Sequence, residues 1–147
     1  MVKIARNKKG FTLIEILVAI AIVGILASVV LVSMMSYRAK ARSAKMLASL
    51  SSAVPSMVSC WGNSGTVASP SSGADICDLS SGYGKWPSLA GDLSSYSYGG
   101  DVSNKNSWYV SAASGTDDRK ICCNSAMNSC KILDTAGSTC NATTPSY

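Results

Sequence analysis

The sequence predicts an α+β fold: a long amino-terminal α-helix packed against a small antiparallel β-sheet whose loops are stapled by disulfides. Three observations point there. An apolar run from Phe11 to Val32 passes into a two-faced segment whose apolar residues recur at steps of three and four. Three short β-type segments separated by turn residues fill the last third of the chain. All six Cys (60, 77, 122, 123, 130, 140) lie after the apolar run, in a region rich in Ser and Gly.

At 147 residues the chain has room for one modest core, which excludes a second catalytic domain. With 47% apolar and 14% charged residues it is not a disordered chain. The net charge of +5 is concentrated at the amino end, where Lys3, Arg6, Lys8 and Lys9 fall in the first ten positions. The remainder is close to neutral and has no broad basic surface for nucleic acid. There is no His and a single Glu, Glu15, so Ser/His and Cys/His nucleophile pairs and most zinc sites are excluded.

Taken in order, residues 1–10 form a short basic leader ending in Gly10, and Phe11 to Val32 contains Glu15 as its one charge. As a helix that run is about 33 Å long, enough to cross a bilayer and longer than the apolar core of a cleaved secretory signal. A retained anchor over residues 11–36 is expected. Flanking charges do not orient it, because Arg38, Lys40, Arg42 and Lys45 follow as closely as the leader charges precede. The cysteines do: an even set of six implies an oxidising compartment for the carboxy-terminal side, with the amino terminus inside.

The soluble head is expected over 37–147. Leu47, Leu50, Val54, Met57 and Trp61 form an apolar stripe opposite Lys45, Ser49, Ser52, Ser56 and Ser59, which extends one helix from about Phe11 to about Ser59. Pro55 removes a backbone donor and predicts a kink or an early end there. Residues 62–107 read as a long loop, to be organised by cross-linking or by function. Three strands, 107–112 (SWYVSA), 120–124 (KICCN) and 130–133 (CKIL), make a meander between 107 and 133 with turns at 115–118 and 124–129.

The segment Lys9, Gly10, Phe11, Thr12, Leu13, Ile14, Glu15, after a basic leader and before a long apolar helix, resembles the amino terminus of type IV pilins and of the pseudopilins of type II secretion. The likeness covers Lys8 to about Ala44. It implies that a prepilin peptidase cuts between Gly10 and Phe11 on the cytoplasmic side and methylates the new amine of Phe11. It further implies an inner-membrane precursor among lipids, delivery to a pilus assembly platform, and packing with other copies into a cell-surface filament with mechanical, adhesive or motility roles. No cofactor and no catalytic residue are expected. A pilin is preferred to a pseudopilin because of the cysteines, although the position where many members carry Pro is Val32 here.

Glu15 has two compatible readings. Thr12 and Glu15 form the T-x-x-E pattern of a capping box. The resemblance instead pairs Glu15 with the amino-terminal charge on Phe11 of a neighbouring subunit, setting the register in a low-dielectric core. Gly24 and Ser28 give a small-x-x-x-small spacing that permits close helix approach. The cluster Arg38, Lys40, Arg42 and Lys45 reads as headgroup anchoring or solvated charge, with DNA as the weaker alternative.

The cysteines can pair in fifteen ways. No C-x-x-C occurs, so disulfides are preferred to zinc. Cys60 with Cys77 would staple the loop to the helix end, leaving Cys122 and Cys123 to share Cys130 and Cys140. If 120–124 is a strand, Cys122 and Cys123 point to opposite faces and take different partners. Resemblance to the major pseudopilins raises calcium for Asp75, Asp78, Asp92, Asp101, Asp117 and Asp118, but no D-x-D-x-D-G loop occurs and these read as turn residues; no metal is expected. Within Gly84 to Leu89 (GKWPSL), Trp86 reads as a packing residue. The rival class, a membrane-anchored extracytoplasmic enzyme or binding protein using the loop 62–107, lacks any nominable acid-base pair.

Overall fold

The computed structural model describes residues 10–79 and 81–143. It divides into two compact units, Met1–Arg38 and Ala39–Tyr147. A single helix, α1 (Leu13–Gly62), is followed by two short 3₁₀ turns and four strands: β1 (Tyr96–Asp101), β2 (Tyr109–Ser114), β3 (Arg119–Asn124) and β4 (Ser129–Leu133). The strands form one antiparallel meander in the order β1-β2-β3-β4. This is the α+β class expected from the sequence.

The helix starts two residues later and ends three residues later than expected, and it passes through Pro55. Pro55 lies on the exposed face, so its ring meets solvent while Ala53, Val54, Met57 and Cys60 around it are buried. Losing one hydrogen bond and crowding the previous turn costs about 3 kcal/mol. Burial of neighbours at roughly 1.5–3 kcal/mol per large side chain offsets it. The buried stripe is centred on Met46, Leu50, Ala53, Met57 and Cys60, with Leu47 and Trp61 at its margins rather than in its middle.

The helix stops in a Schellman arrangement. Ser64 takes the left-handed conformation (φ 62°), its N–H donates to Trp61 O, and Gly65 N–H reaches back to Cys60 O at 2.9 Å. Gly65 is required by crowding: a Cβ there would stand 2.7 Å from Cys77 Sγ and 2.8 Å from Cys60 Sγ.

The predicted loop 62–107 contains two pieces of structure that its composition hides. Residues 66–78 and 84–86 form a narrow stack of bridges, Val67 with Cys77 and Asp75 with Lys85, tied by Ala68 N–H to Ile76 O and Trp86 N–H to Ala74 O. Trp86 is fully buried and donates its indole N–H to Ala68 O, which makes it the packing residue expected. The second piece is β1, a strand the sequence reading did not assign. Its YSYGGD sequence has no β-branched residue, and Gly100 (φ 145°) sits where a Cβ would come within 2.5 Å of Tyr109 O. The first expected strand is also displaced, from 107–112 to Tyr109–Ser114.

The two hairpins match the turn signals. Each loop has four residues, and each ends on a left-handed Asp or Asn, Asp118 and Asn128, both at φ 47°. The sheet turns Val110, Ala112, Ile121 and Cys123 toward the α1 stripe in one buried cluster. The other face of β3 is covered by the carboxy-terminal segment: Asn124 Nδ2 donates to Asn141 O, Ser125 Oγ to Ala142 O, and Lys120 Nζ to Ser138 O.

Candidate functional site

The amino-terminal segment carries the motif residues. Gly10, Phe11 and Thr12 are exposed and non-helical, and α1 begins at Leu13. Thr12 is the N-cap. Its N–H and hydroxyl both donate to Glu15 Oε2 at 2.8 Å, and Glu15 N–H donates to Thr12 Oγ1 at 3.3 Å. This reciprocal arrangement is the capping box read from T-x-x-E. Both Thr12 bonds fall on one carboxylate oxygen of Glu15.

Beyond the cap, α1 exposes apolar side chains all round: Leu13, Ile14, Leu17, Ile20, Val23 and Leu26 are each about half exposed or more. This is the one helix among the described residues long and apolar enough to cross a membrane. Gly24 meets no atom within 4 Å of an added Cβ, so nothing inside the chain requires glycine there. Ser28 donates its hydroxyl to Ile25 O at 2.7 Å and is thereby satisfied without water. The basic leader residues Lys3, Arg6, Lys8 and Lys9 lie outside the described residues.

In the second unit the candidate charges are mostly committed to partners. Arg42 makes a two-pronged bond to Asp117, with Nε–Oδ2 at 2.8 Å and Nη2 on Oδ1. Lys45 faces Asp92 at 3.7 Å and Lys85 faces Asp75 at 2.8 Å. Asp78 accepts Thr66 N–H, Asp101 accepts Ser103 N–H and Oγ–H, and Asp118 accepts Ala136 N–H. The hydrogen bond from Arg42 holds the Asp117 carboxyl below its ordinary pKa, and Ser103 does the same for Asp101. Among the described residues Cys60, Cys77 and Asp78 group as possible metal ligands, but the two sulfurs are joined to each other and so are not thiolates.

The six cysteines form three disulfides: Cys60–Cys77, Cys122–Cys140 and Cys123–Cys130. The first joins the end of α1 to the bridged loop. The third links directly opposed residues of β3 and β4, with Cα atoms 4.0 Å apart. The second leaves the other face of β3 for the carboxy-terminal segment, following the strand alternation that separates Cys122 from Cys123.

What fold and segment define together is an α+β unit that follows, in the chain, a long apolar helical segment capped at its start and preceded by an exposed, non-helical Gly10–Phe11 junction. Residues 5–31 match the family model described as the prokaryotic N-terminal methylation motif, so the chain carries the leader signature of type IV pilins and pseudopilins. No curated protein and no solved structure matches the chain. The motif and the apolar helix fit a membrane-anchored precursor and a structural subunit.

Proposed function

We propose that this protein is the structural subunit of a type IV pilus-like extracellular filament. The observation that carries the reading is the coincidence of the methylation motif with an exposed apolar helix headed by the Thr12–Glu15 box. A prepilin peptidase cleaves between Gly10 and Phe11, where no helical hydrogen bonds protect the backbone, and methylates the Phe11 amine. Glu15 then accepts the Phe11 ammonium of a neighbouring copy through the carboxylate oxygen that Thr12 leaves open. The surface from Leu13 to Leu31 leaves the lipid and packs against the same surface of other copies, with Gly24 and Ser28 at close helix crossings. Contacts of this head-to-tail kind do not close on themselves and so extend as a fibre. An assembly platform in the inner membrane draws the processed subunits out.

A second reading is a pseudopilin of a secretion system. It is favoured by the unbroken helical backbone of α1 through Val32, where many pilins carry Pro.

The test is the intact mass, with and without reduction, of the protein from membrane and sheared-surface fractions of its host. The expected chain begins at Phe11, is one methyl group heavier, and is lighter by six hydrogens before its three disulfides are reduced. A chain retaining Met1 to Gly10 in every fraction, or cut beyond Val32, overturns the reading.

A further inference from the structure

Trp61, in the last turn of α1, stands between two adjoining clefts of about 490 and 570 Å³, and Lys105 lines both. The Trp61 ring is only partly buried and lies 6.0 Å from that of Trp108, at an interplanar angle of 42°. Neither indole N–H has a hydrogen-bond partner among the described residues, in contrast to that of Trp86. Around them stand Asn106 and Asn128, supplying side-chain amides, and no acidic side chain lines either cleft. The wall bearing Lys105 is pre-set: Asn106 N–H donates to Asn104 Oδ1 at 2.9 Å, Ser107 N–H to Asn104 O, and Asp101 braces Ser103.

We propose that these joined clefts bind a carboxylate-bearing saccharide, of the uronate or sialate type. A pyranose presents one face of C–H bonds carrying slight positive charge, which the negative face of the Trp61 indole attracts. Its hydroxyls both donate and accept, matching the amides of Asn106 and Asn128, and its carboxylate takes the Lys105 ammonium. A few placed polar groups beside an aromatic wall is the usual make-up of a small-ligand site, and a pre-set wall lowers the ordering cost of binding. A core-lid role for Trp61 accounts for the ring pair, but not for a lysine set between the two clefts with an amide-rich rim. Single-stranded nucleic acid also stacks on Trp, yet it requires a track of cations along the backbone, and one lysine does not make a track.

The test is isothermal titration calorimetry of the full chain in detergent with trigalacturonate, chitotriose and oligothymidylate as probes. Saturable binding is expected for trigalacturonate, with a Kd of about 1 mM or tighter. Lys105→Ala and Asn106→Ala are exposed substitutions that leave the fold in place; each weakens trigalacturonate, Lys105→Ala by about tenfold, and Trp61→Ala removes the binding. No saturation with trigalacturonate, equal binding of chitotriose, tighter binding of oligothymidylate, or indifference to Lys105→Ala overturns the proposal. Because the titration requires no assembly, its failure leaves the filament reading standing, and failed processing leaves this one standing.

Discussion

Arg42, on α1, grips Asp117, in the β2–β3 turn, with two guanidinium nitrogens, and the carboxylate is 2% exposed. The two residues are 75 positions apart in the chain, so the pair pins helix to hairpin. Ser114 Oγ adds a bond to Asp117 N–H beneath the turn. Asp117→Asn keeps the shape but loses the charge-assisted bonds, and is expected to cost about 2 kcal/mol in urea unfolding. The pH dependence has a definite sign. The folded carboxyl titrates below its unfolded value of about 3.9, so its stabilisation is complete above that value and is lost as pH falls through the folded pKa. Wild type therefore loses stability in acid more steeply than Asp117→Asn, as paired urea titrations at neutral and acid pH will show.

The disulfides differ in what they hold. Cys122–Cys140 closes a separation of 18 residues and fixes the carboxy-terminal segment over β3, whereas Cys123–Cys130 closes 7 across a hairpin already paired by its backbone. Chain-entropy reasoning gives about 3 kcal/mol for the first and about 2.4 kcal/mol for the second. The paired Ser variant of Cys122 and Cys140 should also free the segment from β3, so that amides within it, such as Ala136 N–H on Asp118, exchange more rapidly. The paired variant of Cys123 and Cys130 should leave that exchange nearly unchanged.

The extent to which the sequence disclosed this fold follows from how local each signal is. The helix, the β2–β3 and β3–β4 hairpins and the opposite facing of Cys122 and Cys123 rest on periodicity and turn residues within a few positions, and all were legible. β1 was not, because Tyr96–Asp101 is held by its pairing with β2 rather than by its own propensity. The run of α1 through Pro55 is likewise a tertiary result, set by burial of Val54 and Met57. The motif around Gly10 and Glu15 was plain in sequence. The clefts at Trp61 were not, since Lys105, Asn128 and Trp61 converge only after three separate segments fold. The one available signal was an apolar stripe that ended on a Trp at its margin.

Tyr98 gives an alkaline counterpart to Asp117. Its hydroxyl donates to Pro87 O at 2.8 Å, its ring lies 6.2 Å from that of Trp86, and burial pushes its pKa up to about 12. An unfolded tyrosine ionises near 10, so the folded protein loses stability as pH rises from about 10 towards 12. Tyr98→Phe removes Tyr98's share of the alkaline loss along with the bond to Pro87 and leaves that of buried Tyr96, a difference that denaturation at alkaline pH will reveal. Burial raises Tyr96 as well, so spectrophotometric titration at 295 nm should find fewer tyrosines ionising near pH 10 in the wild type than in the unfolded chain, with Tyr96 and Tyr98 among those held back.

Thr12 and Glu15 allow the two roles of the carboxylate to be separated. Glutamine at the third helical position still accepts from Thr12, so Glu15→Gln keeps the capping box while removing the charge. Thr12→Ala removes the N-cap, at about 1 kcal/mol, while keeping the charge. If the carboxylate served only to cap the helix, Thr12→Ala would be the more harmful change and Glu15→Gln nearly silent. If it also receives the Phe11 ammonium of a neighbour, Glu15→Gln leaves an uncompensated charge in an apolar core and filament yield falls by at least about tenfold, whereas Thr12→Ala assembles at reduced stability. Surface shearing followed by quantification of processed subunit distinguishes the two. Both variants should still be cleaved after Gly10, which confirms that loss of filament is a failure of packing rather than of processing.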